Sequence, residues 1–97
     1  LDNAYRAMQD CLTRDPYNFQ TRINLGELLY RQKKWAEARQ HLEFVRRFFP
    51  DGDAETYNLL YEVDNALGDP RAAADAVRFG LRVFPDNSNL QRLNLLL

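Results

Sequence analysis

Three prolines, Pro16, Pro50 and Pro85, stand 34 and 35 residues apart in a chain of 97, and the residues between them repeat in register. Ala4, Ala38 and Ala73 each lie 12 residues before their proline, and Cys11, Val45 and Gly80 each lie five before it. Arg47-Phe48-Phe49-Pro50-Asp51 and Arg82-Val83-Phe84-Pro85-Asp86 are matching phrases, and Arg14-Asp15-Pro16-Tyr17 is a shorter relative. Leu25 and Leu60 superpose at the 35-residue offset, and one extra residue at Asp51-Gly52-Asp53 accounts for the longer interval. A period of this length makes each unit one supersecondary element, which can bury its apolar face only against its neighbours.

Within a period the pattern is helical. Ile23, Leu25, Leu28 and Leu29 form one stripe at three-to-four spacing, and Trp35, Ala38, Leu42, Val45 and Phe48 form the next. Tyr57, Leu60, Val63 and Leu67, then Ala73, Val77, Leu81 and Phe84, repeat both. Gly68-Asp69-Pro70 combines a C-cap glycine, an Asp N-cap and a proline at the first helical position, where its missing N–H costs nothing. Asp53 and Asn87 or Ser88 are the N-cap candidates after the later prolines. The expectation is six helices at about 2–14, 18–32, 35–48, 54–67, 70–83 and 88–97. The predicted core is Leu25, Leu28, Ala38, Leu42, Val45, Leu60, Val63, Ala73, Val77 and Leu81, with Trp35, Phe48, Tyr57 and Phe84 filling gaps between hairpins.

Two helices in a 34-residue unit resemble the tetratricopeptide repeat, whose signature is Trp-x-x-Leu-Gly-x-x-Tyr followed by Ala-x-x-x-Phe and a closing Pro. Leu25-Gly26, Leu29-Tyr30, Ala38, Leu42 and Pro50 fill the pattern in one unit, with Arg22 where Trp is usual. Tyr57, Leu60, Ala73, Val77 and Pro85 fill it in the next, which departs at Tyr61 (Gly expected) and Asp64 (aromatic expected). The resemblance implies an all-α, right-handed superhelical stack of antiparallel helix pairs. Its expected division is a partial repeat at 1–16, full repeats at 17–50 and 51–85, and a first helix of a further repeat at 86–97. The function it implies is a protein–protein interaction scaffold that holds a peptide or partner helix in a concave groove. The alternative is a structural or oligomerising appendage of a larger enzyme or assembly complex. A start at Leu1 rather than Met is the expectation for a piece of a longer protein, and the compartment stays open.

Chemistry is scarce. One His, one Cys, one Ser and four scattered Gly offer few parts for catalysis, no phosphate loop and no metal-ligand spacing, so no enzyme, metal or cofactor is expected. His41 is expected at a surface or groove edge beside Glu37, and Cys11 as a buried, inert thiol. The apolar runs are too short to cross a membrane. With 13 Lys+Arg against 14 Asp+Glu, the net charge of −1 gives no field for nucleic acid. Arg39, Arg46, Arg47, Arg71, Arg78 and Arg82 fall on the second helices, interleaved with Glu37, Glu43 and Asp75, as a solvated, salt-bridged outer face.

The polar-leaning stripe opposite the packing leucines is the candidate groove: Ile23, Asn24, Glu27 and Tyr30 on one helix, and Asn58, Glu62 and Asn65 on the next. Gln20, Arg31 and Glu55 flank it. Asn amides can bond both the N–H and C=O of an extended backbone, and the glutamates favour a neutral or basic segment. The family's carboxylate clamp uses Lys and Asn at places that Ile23 and Glu27 hold here, so that clamp is absent. The leucine-rich end, with Leu93, Leu96 and Leu97, would leave apolar surface open. A helix beyond this segment is its expected cover, and self-association through the C-terminal helix, giving a homo-oligomer, is the alternative.

Overall fold

The computed structural model describes residues 2–97; Leu1, which opens the first expected segment, lies outside them. Among the described residues there are six α-helices and no strand: α1 (Asp2–Arg14), α2 (Phe19–Arg31), α3 (Trp35–Phe48), α4 (Glu55–Ala66), α5 (Pro70–Val83) and α6 (Ser88–Leu95). None is long and apolar enough to cross a membrane.

Local chemistry sets most of the boundaries. The side chains of Asn18, Asp69 and Asn87 accept from the backbone N–H of Thr21, Ala72 and Leu90, three residues into α2, α5 and α6. Asp53 works one residue earlier than a cap: its Oδ1 accepts from Glu55 N, and Ala54 holds the N-cap position of α4 without a side-chain bond. Helix α4 ends where Gly68 turns left-handed at φ 78°, with Asp69 N donating to Asp64 O. Helix α2 ends in the same way, with Lys34 N donating to Leu29 O, but there Lys33 carries the left-handed conformation at φ 63°. A side chain pays roughly 1 kcal/mol or more for that conformation and glycine does not. Lys33→Gly is therefore expected to stabilise the fold by about 0.5–1 kcal/mol in urea denaturation, despite the greater freedom of the unfolded chain. A loss would show that the Lys33 side chain contributes elsewhere.

The helices pack as neighbours in sequence: α1 on α2, α2 on α3, α3 on α4, α4 on α5 and α5 on α6. The remaining close backbone approaches are α2 with α4 and α4 with α6; α1, α3 and α5 stand farther apart, α3 reaching α5 through the Arg46 side chain on Asp75. The α2/α4/α6 side is thus the drawn-in, inner face of a body 38 × 25 × 18 Å in extent. Leu25, Leu42, Val45, Leu60, Val63, Val77 and Ala38 are completely buried, and Ala73 nearly so. Leu28 and Leu81, placed in the core from sequence, are half-buried at its margin.

The largest core side chain is Tyr57, whose ring lies 5.5 Å from Phe79 and 6.2 Å from Phe84. Phe48, expected between hairpins, is instead 46% exposed. The residue that matches Phe84 in the repeat is Phe49, which packs 5.2 Å from Phe19. Cys11 is half-buried rather than buried, its Sγ 3.0 Å from Thr21 Oγ1.

Position 22 shows what replaces the family's tryptophan. Arg22 Nε and Nη2 both donate to the Pro16 carbonyl, and the guanidinium lies 3.6 Å over the Phe44 ring. Tyr57 OH donates to the Pro50 carbonyl and Gln91 Nε2 to the Pro85 carbonyl. Three unlike side chains thus fasten the start of a helix to the proline that precedes it.

Asp64 is 1% exposed, in the register position that Leu29 fills one period earlier. Arg39 Nε lies 3.1 Å from its Oδ1 as an ion pair, without the alignment of a hydrogen bond. Arg39 is therefore an interior partner and not part of a plain solvated face, although its own side chain is 39% exposed. Burial raises the Asp64 pKa above its ordinary 3.8, with Arg39 opposing. The folded state then holds the proton more tightly, so stability falls as pH rises from 3.8 through the raised value.

Removing the two partners should have unequal effects. Arg39→Met leaves a buried carboxylate unpaired and is expected to cost about 2–3 kcal/mol at pH 7, whereas Asp64→Leu leaves an arginine that can reach water and costs less. Equal losses in thermal denaturation would contradict the asymmetry.

Candidate functional site

The inner face is built from the water-facing side of α2 and α4 and the start of α6. Helix α2 touches α1, α3 and α4, so its apolar arc is wide and only a narrow strip faces out. Asn24 is exposed and accepts from Gln20 Nε2 at 3.3 Å. Glu27, one turn on, forms an exposed ion pair with Arg31 at 3.1 Å. Ile23, expected on this strip, is 3% exposed and belongs to the core; its neighbours on three sides close over it.

Two hydrogen bonds run between the inner helices. Tyr30 OH on α2 donates to Glu62 Oε2 on α4 at 2.8 Å, and that bond to a carboxylate is the first cause of the raised Tyr30 pKa. Asn89 Nδ2 on α6 donates to Asn58 Oδ1 on α4 at 2.7 Å. Asn65 is exposed, one turn beyond Glu62, near the end of α4.

Glu27 and Glu62 do not pair with each other; each has its own partner. Both raise the pKa of Glu55, whose shift is caused first by burial, then by Glu27 and Asp53, with Asn58 opposing through a hydrogen bond and Glu62 adding a smaller push. Carboxylates from α2 and α4 therefore share one field with Glu55 at its centre. The sequence places Glu55 only at the flank of the stripe. Asn89 was not singled out, because its role depends on how α6 sits on α4. Repetition offered a hint, since Asn89 occupies the position of Gln20 in α2.

The other polar candidates lie away from this face. His41 is half-buried, its Nδ1 3.3 Å from Arg22 Nη1, and its pKa is lowered by burial and by Arg22, with Glu37 opposing. Arg46 is held by Glu43 at 2.7 Å and by Asp75 of α5 at 3.3 Å. Among the described residues no group of three or more His, Cys, Asp or Glu could hold a metal ion. Leu95, Leu96 and Leu97 are 84%, 70% and 47% exposed at the end of the chain, while Leu93 is half-buried.

No curated protein sequence matches the chain. A family model described as Tetratricopeptide repeat matches residues 1–62, which span α1 to α3 and most of α4. With that match over more than half of its length, and helix pairs packed neighbour on neighbour with small residues at Ala38 and Ala73, the chain belongs to the tetratricopeptide repeat family, whose members are typically non-catalytic protein-interaction modules.

Proposed function

We propose that the inner face holds an extended, basic peptide segment, with Asn24, Glu27 and Tyr30 of α2 and Asn58, Glu62 and Asn65 of α4 as its contacts. The observation that carries this reading is the gathering of Glu27 on α2 with Glu55 and Glu62 on α4 at the water-facing side, where Glu27 and Glu62 both raise the Glu55 pKa. A lysine or arginine arriving there relieves carboxylate repulsion, and the exposed amide of Asn24 would bond its backbone, while Asn58 would have to exchange its bond to Asn89 to do the same. Because the pKa of Glu55 lies above its ordinary 4.5, its charge, and the affinity that depends on it, is lost at a higher pH than an ordinary glutamate would give.

Fluorescence anisotropy with a labelled lysine-containing peptide tests the reading. Glu62→Gln keeps the acceptor for Tyr30 and removes the charge; it is expected to weaken binding about tenfold, as is Glu27→Gln, with affinity declining as salt rises. Wild-type affinity in both variants, or a preference for an acidic peptide on this face, would sink it.

A second reading has its own support in the exposed Leu95, Leu96 and Leu97. In that reading the chain is one section of a larger assembly and the leucine end is the contact. Leu96→Glu with Leu97→Glu should then abolish a concentration-dependent oligomer in sedimentation velocity while leaving peptide binding unchanged.

A further inference from the structure

The outer side of α3 carries an aromatic cluster that helix packing does not use up. Tyr17, in the turn between α1 and α2, lies 5.7 Å from Phe44 and 5.9 Å from Phe48 between ring centroids, and those two rings are 4.7 Å apart. Tyr17 is 58% exposed and Phe48 46%.

The repeat separates structural aromatics from surplus ones. Phe44 corresponds to Phe79 at the 35-residue offset, and Arg22 to Tyr57. Arg22 stacks on Phe44 as Tyr57 packs on Phe79, so Phe44 performs a packing role that the next hairpin repeats. Tyr17 and Phe48 have no such counterparts: the equivalent places hold Asp51-Gly52 and Val83. Stacking of helices therefore does not call for these two rings, yet they lie against each other and are open to water.

The rim of the cluster is cationic. The two hydrogen bonds that Arg22 donates to the Pro16 carbonyl fix its guanidinium over Phe44. The Arg47 guanidinium is 5.4 Å from the Phe48 ring and forms no ion pair among the described residues. This is the opposite sign from the inner face, so the two surfaces select different ligands.

We propose that Tyr17, Phe44 and Phe48, with Arg22 and Arg47, form a second docking surface, for an acidic peptide segment carrying one aromatic or large aliphatic side chain. That side chain covers Tyr17 and Phe48, while carboxylates on either side of it meet the two arginines. Single-stranded nucleic acid carries the same charge, but ring geometry disfavours it. The three rings stand at 41°, 85° and 47° to one another, so they offer no parallel faces to successive stacked bases.

The probe is a short fluorescein-labelled peptide of Asp and Glu with one central Trp. Wild-type chain is expected to bind it, and to lose binding when the Trp is replaced by Ser or the carboxylates by Lys. Tyr17→Ser with Phe48→Ser, and separately Arg47→Glu, should each weaken it about tenfold or more, with thermal melts near wild type because these side chains are exposed. In NMR titrations of the wild-type chain the amides of Tyr17, Phe44, Phe48 and Arg47 should shift. Unchanged affinity in both variants, shifts centred on Asn24, Glu27 and Glu62, or tighter binding of an oligouridylate at these residues would each overturn the proposal.

Discussion

Replacing Tyr57 with alanine is expected to cost about 4 kcal/mol of folding stability, as for other fully buried aromatic side chains. At the sensitivity usual for small domains this lowers Tm by about 20 °C. The ring is completely buried against Phe79 and Phe84, and its hydroxyl is fastened to the Pro50 carbonyl. Tyr57→Phe isolates that bond and should cost only about 1 kcal/mol.

The same residue sets an alkaline limit. Burial pushes the Tyr57 hydroxyl up from 10.0 to about 12. Between those values the unfolded chain has lost the proton and the folded chain keeps it, so stability is complete below pH 10 and falls as pH rises towards 12. Urea midpoints measured across that range should slope downward in the wild type and less steeply in Tyr57→Phe. Parallel slopes would show that Tyr57 does not titrate differently on folding.

Gly80→Ala is the second large effect. An alanine Cβ there would stand 2.8 Å from Tyr57 Cβ and Cγ and 3.0 Å from Leu90 Cδ1, where α4, α5 and α6 meet. Atoms so near the Tyr57 backbone cannot swing away, so the helices must part. The expected loss is about 3 kcal/mol, well beyond the roughly 1 kcal/mol that alanine adds to helix propensity. Gly26→Ala is the control. Its Cβ would meet the branched end of Leu42 at 2.9 Å, and that side chain can rotate. The two effects nearly cancel there, leaving a change of about 1 kcal/mol or less. Similar losses at both glycines in calorimetry would refute the distinction between a rigid and a movable neighbour.

These residues also show which parts of the fold are legible in the sequence. Helix limits followed from short-range chemistry: Gly68-Asp69-Pro70 placed the α4–α5 boundary, and α1, α3 and α5 start and stop where the pattern put them. The predicted 88–97 helix stops at Leu95, where Leu95, Leu96 and Leu97 are all exposed. Ile23 was misplaced because an amphipathic stripe suggests one packed side, whereas α2 is enclosed on three.

Phe48 was misplaced by one register step from Phe49, and a shift of one residue on a helix turns a side chain by about 100°. The Asp64–Arg39 pair was hidden because its partners lie on different helices, and Asp64 read only as a departure from the family pattern. The stripe of Glu27, Tyr30, Asn58 and Glu62 was legible because repetition places equivalent residues on equivalent faces. The bonds between helices were not, since they depend on how closely α2, α4 and α6 approach.

The neighbour-on-neighbour packing has a consequence for how the chain comes apart. Helix α1 rests on α2 alone, and α6 on α5 and α4, whereas α4 is gripped by α2, α3, α5 and α6. Opening therefore proceeds like a fraying zipper, α1 peeling away for the loss of one interface and α6 for the loss of two smaller ones, while the middle stays closed. Amide protons should exchange first in α1 and α6 and last in α4. The proposed peptide-binding inner face includes Asn58, Glu62 and Asn65 of this slow-opening helix, so a ligand there meets a surface already in its bound shape.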